Sequence, residues 1–247
     1  MKISKKLSVK YGISVRSAKD YIHEGLVTLN GAVVRKDTDT PEENFLLKLP
    51  EKLKIDPKPY LLADFGGIVF FDKPAFMHSE RHRLDDEPTI QDIAENYDAD
   101  LTLISRLDYM TDGVITAVHK DLKVILQSKT YLAVVCGEMS ESITIDNIID
   151  ADKRRKVRVS DEHGGNRTIF IPIIYSNGLT LVQADMEKAT RHQLRAYLSH
   201  IGFPILGDTL YGGTEHTRIM LHCKSTTVNG FTAESRLTVN FSDFISK

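Results

Sequence analysis

Leu101-Thr102-Leu103-Ile104-Ser105-Arg106-Leu107-Asp108-Tyr109-Met110-Thr111-Asp112-Gly113-Val114-Ile115-Thr116-Ala117-Val118 contains a strand-like run, a loop and a second strand-like run. Leu101 to Ile104 and Val114 to Val118 are apolar and rich in strand-forming side chains, and Asp112-Gly113 marks a turn. The loop holds Arg106 and Asp108 two residues apart. A carboxylate on a loop fixed by rigid strands occupies a common position for a catalytic group. Alone, an Arg-x-Asp pair beside an Asp-Gly turn reads more readily as solvated turn chemistry.

Strand-like runs continue on both sides of this stretch. Ile169 to Tyr175, Leu179 to Ala184 and Leu237 to Phe241 fit strands, whereas Ile90 to Tyr97 and Arg191 to Ile201 are the clearest helices. Many strands with few interspersed helices predict an α+β fold with a mixed, largely antiparallel central sheet, not a doubly wound parallel one. In the second helix Leu194, Leu198 and Ile201 recur at helical spacing, and Gly202 followed by Pro204 ends it. His192, Arg195 and Ser199 then share a face turned away from that apolar stripe. This face is either solvated or directed across a cleft.

The first 36 residues hold eight Lys or Arg against Asp20 and Glu24, a net of +6, so the remainder carries −8 within a total of −2. A basic head on a mildly acidic body suits a module that supplies phosphate affinity. Ser14 is placed to cap a helix through Ala18 and Ile22, and Gly25 is placed to stop it. Val27-Thr28-Leu29 and Ala32-Val33-Val34 flank Asn30-Gly31, a strong hairpin signal. Residues 1–45 are therefore expected to form a small domain. A proline-bearing linker is expected over 46–60, although Leu46 to Leu49 also suit a last strand of the small domain, and the main domain should span 61–247. Lys153 to Arg158 form a second basic run, either a solvated loop or a flank of a cleft.

No apolar run reaches the roughly 20 residues that span a bilayer, and Met-Lys-Ile-Ser-Lys-Lys lacks the apolar core of a secretory signal. The two cysteines, Cys136 and Cys223, are expected as buried thiols in a reducing cytoplasm. His78 and His82 have a spacing that a metal would accept, but no Cys or Glu cluster completes a site, so none is expected. No cofactor motif is present.

In chain order, Gly67-Ile68-Val69-Phe70-Phe71-Asp72-Lys73-Pro74-Ala75 with His78, Arg106-Leu107-Asp108, Lys129-Thr130-Tyr131, His192-Gln193-Leu194-Arg195, Gly207-Asp208-x-x-Tyr211-Gly212 and Leu221-His222 resemble the motifs of the RluA-like RNA pseudouridine synthases. The first 45 residues resemble the α-L RNA-binding fold of a ribosomal small-subunit protein. The family usually has His at Ser105, Thr-Ser-Gly at Thr111-Asp112-Gly113 and Gly-Arg at Ala189-Thr190. These departures surround Asp108, Tyr131 and Arg195 without replacing them, and they bear on RNA contacts and target choice.

The resemblance implies an isomerase that converts uridine to pseudouridine in structured RNA, with ribosomal RNA the first expectation and transfer RNA the second. Asp108 would be the essential carboxylate, either attacking the sugar C1′ or removing the 2′ proton. Burial alone disfavours an ionised carboxylate, and a neighbouring guanidinium offsets this, a part assigned to Arg195. Tyr131 would stack on the base and offer a phenol near C5. Arg106 would fill the gap left by the extruded nucleotide or hold its phosphate. Lys73, His192, Arg16 and Lys19 complete the expected RNA contacts. A monomer without small-molecule cofactor or membrane attachment is expected. Two other classes remain: a non-catalytic RNA-binding or ribosome-assembly factor that kept the fold, and a nucleoside or glycoside hydrolase, for which Asp108 lacks a convincing second carboxylate.

Overall fold

The computed structural model describes residues 1–42, 44–48, 54–81, 88–151 and 155–237. These residues separate into two compact units, one before residue 54 and one from residue 54 onward.

In the smaller unit, α1 (Ile3–Tyr11) and α2 (Val15–His23) precede β1 (Val27–Leu29), β2 (Ala32–Val34) and β3 (Phe45–Leu47). The Ser14 hydroxyl accepts the Ser17 amide at 3.0 Å, capping α2. Asn30 and Gly31 both take positive φ, 50° and 83°, as a tight hairpin turn between β1 and β2 requires. Ile3 and Leu7 on α1 and Ala18 and Ile22 on α2 are each four residues apart. Their stripes meet Val27 and Phe45 in one core. β3 pairs antiparallel with β1, giving the order β2-β1-β3. The linker expected from residue 46 thus starts too early, because Leu46 and Leu47 are held by β1. Leu49 and Pro50 lie outside the described residues.

In the larger unit the strands are β4 (Leu61–Asp64), β5 (Ile68–Lys73), β6 (Leu101–Leu103), β7 (Asp112–His119), β8 (Gln127–Cys136), β9 (Ile143–Asp150), β10 (Arg158–Ser176), β11 (Leu179–Met186), β12 (Leu221–Val228) and β13 (Phe231–Glu234). The helices among the described residues are α3 (Ile90–Tyr97) and α4 (Gln193–His200), with a 3₁₀ turn at Thr209–Tyr211. The sheet runs β4-β5-β7-β12-β8-β11-β10-β9, with β6 on β7 and β13 on β12. Its described pairings are antiparallel except β7 with β12, where Asp112 faces His222 and Gly113 faces Cys223. This is the mixed, largely antiparallel α+β sheet expected. Residues 238–241 of the expected last strand lie outside the described residues.

β5 and β7 are buried on both faces. Phe70, Val114 and Val118 enter the main core with β8, β11, β12 and α4, whereas Phe71, Ile115 and Ala117 pack under α3 with Ile90 and Ile93. Two-sided burial explains why both strands read as continuous apolar runs without alternation. Among the described residues no helix is long and apolar enough to cross a membrane.

Candidate active site

Asp108 lies on the loop between β6 and β7, and three backbone positions around it are fixed. The buried Ser79 hydroxyl accepts the Leu107 amide at 3.0 Å and donates to the Leu107 carbonyl at 2.8 Å. The Phe76 amide donates to the Tyr109 carbonyl at 2.7 Å, and the Thr111 amide to the Asp108 carbonyl at 3.0 Å. Gly113 closes the loop at φ +111°, with the β12 backbone so near that an added Cβ would stand 2.2 Å from the Cys223 carbonyl oxygen. Only glycine permits that approach.

Arg195 comes to Asp108 from α4. Its Nη1 donates to Asp108 Oδ2 at 2.7 Å, while Nε and Nη2 donate to the two oxygens of Asp208 at 2.7 and 2.8 Å. Asp208 is 1% exposed and the Asp108 side chain 33% exposed, so one guanidinium joins a buried anchor to a half-open carboxylate. Burial disfavours the arginine's charge, but the two carboxylates outweigh it and raise its pKa. His192, left-handed at φ 57°, precedes α4 and places Nε2 3.8 Å from Asp108 Oδ1. Its Nδ1 is 3.1 Å from the Tyr211 hydroxyl, which accepts the Val157 amide at 2.9 Å. Burial lowers the His192 pKa, and Arg195 and Arg191 add to this against the opposing effect of Asp108.

Tyr131, on β8, is buried opposite Cys223. Its phenol pKa is pushed well up by burial, then by Cys223 and by Asp108. Lys73 ends β5 fully buried, its Nζ donating to the carbonyls of Pro74 at 3.0 Å and Met77 at 2.8 Å. Burial lowers its pKa to about 8, with Asp112 and Asp108 resisting the shift. Arg106 instead points outward, 68% exposed, with Nη1 3.2 Å from Glu80 Oε2, a pair weak enough to exchange for another anion. Arg16 and Lys19 are exposed on α2 of the smaller unit. Of the expected site residues, Asp108, Arg195, His192 and Tyr131 therefore come together and Lys73 lies buried near them. Arg106 is free to reorient, and Arg16 and Lys19 belong to the other unit.

The α4 reading needs correction. The helix begins at Gln193, not Arg191, and Gln193 to Leu198 are all buried. The face carrying Arg195 and Ser199 is covered by the Asp208–Tyr211 segment, where Ser199 Oγ donates to the Tyr211 carbonyl at 2.6 Å. Sequence reasoning also gave no role to Asp208, although it lies in a quoted motif. It missed Asp112, whose Oδ1 is 3.0 Å from Arg218 Nη1 and 3.1 Å from His222 Nδ1. Burial raises the Asp112 pKa, but the His222 and Arg218 contacts bring it below its ordinary value. Thr190, another departure from the family pattern, accepts Asn166 Nδ2 at 2.9 Å and donates its amide to Gln193 Oε1 at 2.8 Å. In the second basic run Lys156 Nζ sits 4.9 Å above the Tyr211 ring, beside the site. Lys153 and Arg154 lie outside the described residues, as does His82. Among the described residues no three His, Cys, Asp or Glu side chains group as metal ligands.

The sequence and the fold are similar to those of known proteins. Residues 67–200, more than half the chain, match the family model for RNA pseudouridylate synthase. The chain is 29% identical to an uncharacterized RNA pseudouridine synthase of Helicobacter pylori over 95% of its own length and 96% of that protein. It is 26% identical to the ribosomal large subunit pseudouridine synthase D of Pseudomonas aeruginosa, covering 78% of this chain and 68% of that one. The fold is similar to that of human RNA pseudouridylate synthase domain containing 1, with a TM-score of 0.57 at 18% identity over 74% of this chain and 84% of that one.

Proposed function

This chain belongs to the RNA pseudouridylate synthase family and is an isomerase, and we propose that Asp108 is its essential carboxylate and structured ribosomal RNA its substrate. The reaction breaks the bond from C1′ of the sugar to N1 of uracil, turns the base while it stays bound, and joins C1′ to C5. The proton on C5 leaves and N1 ends protonated, so no oxidant or reductant is needed. The observation that carries the assignment is the Arg195–Asp108 ion pair at 2.7 Å, made by Nη1 while Asp208 holds Nε and Nη2. It fixes the half-buried Asp108 carboxylate in one orientation, ready to act on a sugar carbon.

Tyr131 stacks against the base and offers a neutral phenol to the proton leaving C5. His192 orients the second oxygen of Asp108. Arg106, held only by exposed Glu80, turns to the phosphate of the extruded nucleotide or into the gap it leaves. Residues before 54 form the α-L-type RNA-binding module, with Arg16 and Lys19 on phosphates. Lys73 supplies positive charge beneath the loop. Ribosomal RNA is preferred to transfer RNA because the relative in Pseudomonas aeruginosa is named for the large ribosomal subunit. The protein acts as a monomer in the cytoplasm.

A hydrolase would need a second carboxylate free to protonate or activate water. The carboxylate nearest through Arg195 is Asp208, buried and held by two guanidinium bonds, which speaks against that chemistry. Tritium release from C5-labelled uridine in ribosomal RNA tests the reading. Release to water without free uracil is expected. Free uracil would support hydrolysis, and tight binding without release would support a non-catalytic assembly factor.

A further inference from the structure

Two large aromatic side chains stand half in water, one on Tyr109, next to Asp108 in the chain, and one on Phe76, whose backbone is bonded to that of Tyr109. Tyr109 is 44% exposed and Phe76 48% exposed, the first on the β6–β7 loop and the second on the segment that follows β5. Their rings meet edge to face at 5.8 Å, and the His78 ring lies 4.6 Å from Tyr109 on a tilt of 35°. The Phe76 amide bonds the Tyr109 carbonyl, so the step between the rings is fixed by backbone. Phe76 holds φ at +62°, a left-handed conformation that a bulky side chain rarely adopts. A glycine would sit there without strain, yet the chain carries a phenyl ring, and that ring is not spent on the core.

We propose that Phe76 and Tyr109, with His78 against Tyr109, form a stacking platform for an unpaired base of the RNA next to the target uridine. The inference rests on the reading of Asp108 as the group that receives an extruded uridine. Once that uridine leaves the helix, its neighbour loses a stacking partner. An aromatic surface on the residue next to Asp108 is placed to replace it, and stacking on such rings tolerates any base because every base has a π face. Arg106, two residues before Asp108 and 68% exposed, provides a cation for the adjoining phosphate. The half-exposed rings and the strained Phe76 backbone are explained together by a base that covers them.

The test uses the full chain and an oligouridylate carrying one 2-aminopurine, a purine whose fluorescence falls when it stacks. Binding to the wild type is expected to quench the signal. Tyr109→Leu and Phe76→Gly should each lose most of the quench and weaken binding roughly 5- to 100-fold, the effect of losing one base–ring stack. Phe76→Gly removes a half-exposed ring at a backbone position that glycine adopts freely, so it keeps the test open even if Tyr109→Leu misfolds. No quench with the wild type, or an equal quench with folded Phe76→Gly, overturns the platform. Tritium release from C5-labelled ribosomal RNA is run alongside. Its failure in the wild type would reject uridine isomerisation, whereas the quench reports on the platform separately.

Discussion

Arg195 Nη1 stands 2.7 Å from Asp108 Oδ2 while Asp208 occupies the guanidinium's other edge. The arginine is thereby locked in orientation before any substrate arrives, and only a planar fork with several donors can serve both acids. Arg195→Met should abolish most turnover and destabilise the fold by about 3–5 kcal/mol, because it strands buried Asp208. Arg195→Lys should recover part of the stability but little turnover. Denaturant unfolding and tritium release measure both, and wild-type turnover in Arg195→Met would remove the arginine from the site.

Asp108→Asn changes charge with almost no change in volume. Turnover should fall to background while RNA affinity stays near that of the wild type, since Asp108 is assigned to the chemical step. Filter binding and single-turnover tritium release separate the two. Substantial residual turnover in the purified variant would show that the essential carboxylate lies elsewhere.

Asp112 gives an acid-stability prediction. Its folded pKa lies below its ordinary value of 3.8, because contacts with His222 and Arg218 outweigh burial. A carboxyl shifted in this direction adds stability at pH above its unfolded pKa, and that stability is lost as pH falls through the folded pKa. Asp112→Asn should therefore be less stable at neutral pH, with a flatter decline in unfolding free energy below about pH 4. Equal acid slopes in the two proteins would contradict the pairing of Asp112.

Gly113→Ala should break the junction of β7 and β12. The added methyl would stand 2.2 Å from the Cys223 carbonyl oxygen at φ +111°, so neither backbone nor neighbour accommodates it. A loss of at least roughly 1–3 kcal/mol is expected, read as a lower melting temperature. An unchanged melting temperature would mean that the parallel contact at Gly113 is not formed.

Removal of the smaller unit tests its role. A chain starting at Lys54 should keep the larger unit folded and lose RNA affinity. Its slope of log affinity against log salt should shrink by roughly 0.7–0.9 for each phosphate contact removed. Turnover at saturating RNA should fall less than turnover at low RNA. An unchanged salt slope would leave the basic head without a phosphate-binding role.

The sequence by itself determined the elements and their class. The Asn30-Gly31 turn, the Ser14 cap, the apolar runs of β5 and β7 and the spacing of α3 are local signals, fixed by backbone sterics and by which side chains leave water. The ordered motifs also singled out Asp108, Tyr131 and Arg195. Tertiary structure alone decided which charges meet. Asp208 and Arg195 lie 13 residues apart and Arg195 and Asp108 lie 87 apart, so no periodicity links the three. Asp112 reads as a turn residue until β12 comes parallel to β7 and brings His222 against it at a separation of 110 residues. The same limit explains why the polar face of α4 reads as either solvated or turned to a cleft: the segment that covers it follows α4 in the chain and packs back on it. Short-range signals set the conformation of each segment, but a buried charge is stabilised only by the partner that folding delivers, and that partner is chosen in space.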